Sequence, residues 1–488
     1  MTSNALFHTS PKPWAPHNGQ RLGLHFMLGR ANAGILASPG MGKTSLTYGA
    51  LTELRRQGLV RKTLIVAPLR PAHLVWPAEA RKWEQFQDLR VVVLHGPRKD
   101  ELLNTPADVY VINPAGLPWL CQADKAKSFT GKTNPVVNLE KFKALGFDHL
   151  VLDELTFCKN TNTQTFKLMK QIIKTFSRRW GLTGTPVPNG MLDLFGQAYV
   201  LDEGKALGPY ITNYRSKYFI PSFDGFTWKI RPGAEQEIYD RVQSLFLRLD
   251  AADYFDMPAE VHNLIWTEMP SAARKVYQAM EDDFVTQIDS GQIAASNSAV
   301  ASGKCRQIAS GAIYLQDAPG IVRKTGPKDW EVIHGAKIEA LGELIDELNG
   351  QQVLVAYQFK HEIERIKQLL GDDIAVFGVS SKRDAEIERL WNAGELPYVF
   401  GHPASIGHGL NLQGSNAKHL CFFSQTWDRE HYEQLIARIR RQGNTSEHIF
   451  VHHIMVKNTI EPAMHYAVKA KGNVQDAFFK ALKEMRLK

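Results

Sequence analysis

Cysteine is scarce: the 488 residues hold four, Cys121, Cys158, Cys305 and Cys421, with no C-x-x-C spacing among them. That excludes a disulfide framework or a zinc ribbon and leaves them as small buried hydrophobes in a reducing compartment. No run approaches the roughly 18 apolar residues of a membrane span. The opening stretch, MTSNALFHTSPKPWAPHNGQ, lacks the apolar core and small-residue cleavage site of a secretory leader, so the expected location is cytoplasmic, away from membranes. Low-complexity tracts and short-period repeats are missing too, which sets aside solenoids and disordered arrays.

What is present is an ordinary globular composition, 44% hydrophobic and 22% charged, long enough for more than one domain. The net charge is +8, and residues 415–488 carry 12 Lys and Arg against 7 Asp and Glu, so most of the excess sits near one end. A polyanionic partner is one reading of that asymmetry; a mildly basic surface is the other.

Short apolar runs alternate with helical patterns from residue 20 to about 200: AGILA (33–37), TLIVAP (63–68), VVVLHG (91–96), DVYVIN (108–113), HLVLDE (149–154) and RRWGLTGTP (178–186). Strands that are apolar almost throughout belong in a parallel sheet covered on both faces. A second such series follows residue 336: QQVLVAYQF, DIAVFG, YVFGHP, HLCFFS and HIFVHHIMV. Between them, after an Asp224-Gly225 turn, EQEIYDRVQSLFLRL and SAARKVYQAMEDDFVTQI repeat apolar residues at helical spacing. The expected layout is an α/β lobe over 1–205, helical insertions and a connector over 206–335, and a second α/β lobe over 336–488.

The first chemical signal is GILASPGMGKTSL, residues 34–46. A strand runs into Ser38-Pro39-Gly40-Met41-Gly42-Lys43-Thr44-Ser45, and a helical pattern follows. Glycines let successive N–H groups curl around a phosphate, the Lys43 ammonium reaches the β/γ oxygens of ATP, and the Thr44 hydroxyl ligates Mg²⁺. The strict pattern has glycine at 37, where this chain has alanine. About 110 residues on, VLDE ends a strand on two carboxylates, Asp153 and Glu154. An acidic pair at a strand end is commonly a solvated turn. With a phosphate loop in the same lobe, Asp153 suits the metal and Glu154 the attacking water.

In HYEQLIARIRRQG, Tyr432, Leu435, Ile436 and Ile439 fall on one helical face, expected to pack on the second sheet. Gln434, Arg438 and Arg441 fall on the opposite face, as a solvated row or as arginines that meet a γ-phosphate.

The segments GILASPGMGKT, TLIVAPLRPAHLVWPAEARKW, VLDELTFCKN, GLTGTPVPN, GHGLNLQG and QLIARIRRQG occur in the order of the motifs of helicase superfamily two, and the chain most resembles its Swi/Snf-like branch of ATP-dependent double-stranded DNA translocases. The resemblance covers residues 14–470 and implies two RecA-like doubly wound parallel-sheet lobes in tandem with helical insertions between them. It implies ATP and Mg²⁺ as cofactors and duplex DNA, read without sequence preference, as partner. On this likeness Gln20 reads adenine, Gln434 joins the nucleotide contacts, and Arg441 is the arginine finger with Arg438 as its partner on the phosphates. Arg70, Asn113, Ser405, Gly407 and Asn411 touch the DNA backbone, and Thr183 and Thr185 couple nucleotide state to lobe movement.

Two departures stand out: Thr156 replaces a usual histidine after the acidic pair, and Ser424 replaces a usual aspartate before the last motif. No reader domain, zinc finger or nuclease motif is visible, so the insertions or a separate protein partner must choose the substrate. A compact prokaryotic or viral protein acting as a monomer is the expectation. The competing functions are a duplex translocase, a strand-separating DNA or RNA helicase, and a nucleic-acid-binding scaffold with a vestigial ATPase.

Overall fold

Residues 10–127, 133–221, 228–289, 295–315, 329–406 and 410–470 are described by a computed structural model. The chain divides into two compact units, the first running to Phe255 and the second spanning Asp256–Ala470. The first is built on β1 (Asn32–Ala37), β2 (Thr63–Val66), β3 (Val91–Val93), β4 (Val109–Ile112), β5 (His149–Asp153), β6 (Arg178–Thr183) and β7 (Phe246–Leu249). Their order is β7-β1-β6-β5-β2-β4-β3, with every pairing parallel. Runs such as Leu64-Ile65-Val66 and Leu150-Val151-Leu152 are fully buried, as a sheet covered on both faces requires. The order β1-β6-β5 makes the ends of three motif-bearing strands neighbours.

The second unit holds β8 (Ala259–Thr267), β9 (Val353–Ala356), β10 (Tyr398–Gly401), β11 (His419–Phe422) and β12 (His448–Val456). Their order is β8-β12-β11-β9-β10, again all parallel. Two parallel sheets flanked by helices are the fold class expected from the sequence.

Two strand readings need correction. The stretch EQEIYDRVQSLFLRL is not one helix: a helix over Ala234–Val242 stops, and Phe246–Leu249 becomes an edge strand on β1. Side-chain packing decides this, because the Phe246 ring lies over Gly34, where an added Cβ would come within 2.1 Å of it. The region 206–335 thus gives β7 to the first sheet and β8 to the second. DIAVFG, in turn, is no full strand and meets the sheet through a single bridge, Val376 to Phe400. Gly378 then turns at φ +94°, its N–H donating to the Asp384 carboxylate at 2.9 Å, and the chain leaves for the next helix. The Asp224-Gly225 turn lies outside the described residues.

Histidines line the β8, β11 and β12 side of the second sheet. His419 Nδ1 lies 3.1 Å from His452 Nε2, His262 Nδ1 lies 3.2 Å from His453 Nε2, and the His453 and His465 rings are 4.5 Å apart. An N–H···N bond between two imidazoles needs one ring to donate and the other to accept, so it is broken once both rings of a pair are protonated. Burial lowers the pKa of His419, His452 and His465 to about 4. It also holds His453 well below the ordinary histidine value, where neighbouring histidines and Lys469 add to the effect. Because these folded values lie below the unfolded value of about 6.5, stability is complete above that pH and is lost as pH falls towards 4. Each such histidine contributes a slope of about 1.4 kcal/mol per pH unit in that window. In the first unit, among the described residues, only His149 is lowered as far, to about 3. Thermal unfolding followed from pH 7.5 to 4.5 should show the second unit losing stability first; parallel loss in both would remove the histidines as the cause.

Candidate functional site

The phosphate loop begins where β1 ends. Ala37, the residue at odds with the strict glycine pattern, is still in the strand and pairs with Leu249, so no left-handed conformation is asked of it. The conformational demand falls on Gly40, at φ +88°, and on Gly42, at φ +69°. Gly42 stands at the start of α2 (Lys43–Arg56), whose first turn has no side-chain cap. An uncapped first turn aims backbone N–H groups and the positive end of the helix dipole at an anion. The Lys43 ammonium donates to the Ala37 carbonyl at 3.1 Å, holding it beside the loop.

Gln20 is buried in α1 (Asn18–Leu28) and bonds directly to this loop. Its amide N–H donates to the Gly42 carbonyl at 3.3 Å and to Ser45 Oγ at 3.1 Å, and its carbonyl accepts from the His17 N–H at 3.2 Å. An added Cβ at Gly42 would lie 2.4 Å from the Gln20 amide nitrogen, so only glycine fits there. Pro39 and Met41 complete the loop, with Met41 buried beneath it. His17, absent from the sequence reading, approaches the Met41 carbonyl at 3.4 Å and packs on Phe255.

Helical spacing in EQEIYDRVQSLFLRL hides two more residues that serve the loop, Arg248 in β7 and Asp250 just past it. Arg248 in β7 donates to the Leu36 carbonyl and to Ser38 Oγ, both at 3.2 Å, and pairs with Asp250 at 3.1 Å. Ser38 in turn donates to Asp250 at 3.3 Å. The edge strand therefore braces the loop from the side opposite β6.

At the end of β5, Asp153 is 9% exposed and its Oδ2 accepts from the Trp76 indole N–H at 2.8 Å. Glu154 then adopts φ +61° and ψ +69°, a conformation unfavourable for a non-glycine residue. Such a turn breaks the strand's alternation after Asp153, so the two acids are placed independently, and it opens the short helix Leu155–Cys158. That helix carries buried Thr156. Just past β6, the Thr185 N–H donates to Thr183 Oγ1 at 3.2 Å, and an added Cβ at neighbouring Gly184 would lie 3.5 Å from the Ala37 carbonyl. Lys43, Thr44, Asp153, Glu154, Thr183 and Thr185 thus stand at or just past the C-terminal ends of three adjacent strands. Arg70 and Asn113 lie past the ends of β2 and β4, each directly before a short helical turn.

In the second unit α4 (Arg429–Ile439) buries Tyr432, Leu435, Ile436 and Ile439, the expected face. The opposite face differs from expectation. Gln434 and Arg438 are buried, not an uncovered row, and Arg438 donates to the Leu410 carbonyl at 2.8 Å and to that of Gln434 at 3.3 Å. Arg441 is not on the helix at all: the helix ends at Ile439, and Arg440 turns out at ψ +82° to donate to the Pro258 carbonyl at 2.8 Å. This exit carries Arg441 to Asn411, whose Oδ1 accepts from its guanidinium at 2.6 Å. Ser405 lies in the turn Pro403–Ile406, and Gly407 is outside the described residues.

Ser424 acquires a meaning in this unit. Its hydroxyl donates to Glu362 at 2.5 Å and lies 3.4 Å from the Lys337 ammonium, which is itself paired with Glu461. All four side chains are buried. Glu362 from a neighbouring helix supplies a carboxylate beside the position where the family pattern has aspartate.

Residues 19–315 match the SNF2-related domain and residues 336–443 the helicase conserved C-terminal domain. The chain belongs to the SNF2-related family. Protein p41 of Acyrthosiphon pisum secondary endosymbiont phage 1 is 36% identical over 97% of this chain and 99% of its own length. The CHD3-type chromatin-remodeling factor PICKLE of Arabidopsis thaliana is 21% identical over 92% of this chain, and an uncharacterized ATP-dependent helicase of Mycoplasma genitalium is 25% identical over 70%. The chain spans about a third of the length of these two cellular relatives, against nearly all of the phage protein. A solved Sulfolobus solfataricus SWI2/SNF2 ATPase core in complex with dsDNA aligns over 96% of this chain and 94% of its own, at 18% identity and a TM-score of 0.42. Membership makes this SNF2-related chain a helicase-like, nucleic-acid-dependent ATPase. No helix among its described residues is long and apolar enough to cross a membrane.

Proposed function

We propose that the chain couples ATP hydrolysis to travel along double-stranded DNA, shifting bound proteins or branched structures without a requirement to part the strands. The observation that carries this is the row of Lys43, Asp153, Glu154 and Thr183 at adjacent strand ends in a member of the SNF2-related family. In this reading the Gly40 to Gly42 turn and the α2 N-terminus hold the ATP phosphates, Lys43 pairs with the β/γ oxygens, and Gln20, fixed to the loop, reads adenine. Glu154 orients and deprotonates the attacking water. Thr44 and Asp153 offer a hydroxyl and a carboxylate, the hard oxygen donors that suit Mg²⁺. The ion, when bound, neutralises phosphate charge.

Arg441 is the arginine that answers charge growing on the γ-phosphate. Arg438, buried on the Leu410 carbonyl, steadies the 410–412 segment on which Asn411 is carried. Thr183 and Thr185 report nucleotide state, and Arg70, Asn113, Ser405, Gly407 and Asn411 contact phosphates of the duplex. Contacts confined to the backbone carry little sequence information and weaken steeply with salt.

ATP turnover measured with duplex DNA, single-stranded DNA and RNA tests this. Duplex of arbitrary sequence should stimulate most, with the effect falling as salt rises. Preferential stimulation by single strands or RNA would instead favour a strand-separating helicase.

A further inference from the structure

Trp76 performs two tasks at once. It is the first residue of α3 (Trp76–Lys82), and its backbone N–H closes a π-helical turn, Pro71–Val75, on the Pro71 carbonyl. Arg70 stands immediately before that turn. The side chain of Trp76, fully buried, donates its indole N–H to Asp153 Oδ2 at 2.8 Å. The residue is also tied to the helix of the phosphate loop: the Tyr48 hydroxyl in α2 donates to the Trp76 carbonyl at 3.0 Å, and the two rings meet edge to face at 5.2 Å.

A hydrogen bond to an ionised carboxylate is stronger than a neutral one, and in a buried site it fixes the plane of the acceptor. Partners of this kind set how well a metal ligand is oriented. A π-turn stores one more residue per turn than an α-helix and occurs frequently at functional sites. Any tightening of it on contact at Arg70 acts first on the residue that closes it.

We infer that Trp76 is a positioning residue for Asp153, and that through it the turn beginning at Arg70 sets how firmly the metal ligand is held. This rests on the proposed roles of Asp153 at Mg²⁺ and Arg70 at the DNA backbone. DNA engagement would then be felt at the nucleotide site as a change in affinity for Mg²⁺-ATP, before any hydrolysis.

The test is equilibrium binding of a fluorescent ATP analogue, in Mg²⁺ and in EDTA, with and without a short duplex. Three altered proteins are compared with wild type: Trp76→Phe, Trp76 replaced by β-(3-benzothienyl)alanine, and Tyr48→Phe. The benzothienyl group keeps the shape of the ring and removes only the N–H, so it answers even if Trp76→Phe folds poorly. Both Trp76 replacements should weaken binding in Mg²⁺ by about 10-fold to 100-fold, leave binding in EDTA unchanged, and abolish the effect of duplex. Tyr48→Phe, which touches the same packing but not Asp153, should retain the magnesium dependence. Wild-type affinity in Mg²⁺ for the benzothienyl protein would overturn the inference and leave Trp76 a packing residue. Asp153→Asn serves as the separate control: if it keeps the wild-type magnesium dependence, the metal role of Asp153 itself falls and the inference with it.

Discussion

Glu154→Gln is expected to bind ATP as the wild type does and to lose turnover, by about 10²-fold to 10⁴-fold if its role is that of a general base. Glutamine preserves the size and hydrogen-bonding reach of the side chain while removing the charge that attracts a proton from water. The backbone sharpens the expectation. Glu154 occupies φ +61°, a conformation that costs of the order of 1–3 kcal/mol for a non-glycine residue. It turns the chain directly after Asp153, so the second acid need not follow the strand's alternation. Lys43→Ala should abolish hydrolysis by a different route, weakening nucleotide binding, because it removes the ammonium held beside the loop by the Ala37 carbonyl. Phosphate release and fluorescent-nucleotide binding, measured on both proteins, separate the two effects. Near-normal turnover in Glu154→Gln would remove that residue from the chemistry.

Arg441→Ala should lower kcat by about 10³-fold or more while leaving nucleotide affinity and DNA binding largely intact, the pattern of a group that acts in the transition state. The structure gives this residue a context that helical spacing did not. Arg441 lies past the end of α4 and donates to Asn411 at 2.6 Å, so a residue proposed for the phosphates touches one proposed for DNA. Arg438→Ala should behave differently. Its guanidinium is buried and bound to the Leu410 carbonyl, so its loss should lower thermal stability along with activity. A stable Arg438→Ala protein with the kinetic defect expected of Arg441→Ala would exchange the two roles.

The strands carrying the nucleotide motifs were legible because burial on both faces leaves short apolar runs bounded by glycine, proline and acids. β1, β5 and β6 are of this kind, and the residues that follow them are the motif residues. β7 was not legible, since FLRL continues the helical spacing of EQEIYDRV and only the contact of Phe246 with Gly34 separates the two readings. With that strand went Arg248 and Asp250, which brace the phosphate loop. Arg441 was misplaced for a related reason: its position continues the spacing of Gln434 and Arg438, and no helix breaker stands before Gly443. What ends α4 is a contact distant in sequence, Arg440 with Glu260 and the Pro258 carbonyl. Trp76 could not be connected with Asp153 from spacing at all, because 77 residues separate them.

Displacement of a third strand from a triplex placed downstream on duplex DNA tests the proposed travel most directly, since it registers movement along a duplex without asking for strand separation. Wild-type protein with ATP should release the third strand, Lys43→Ala and Glu154→Gln should not, and the underlying duplex should stay paired. A wild-type protein that hydrolyses ATP on duplex DNA yet leaves the triplex in place would contradict the motor.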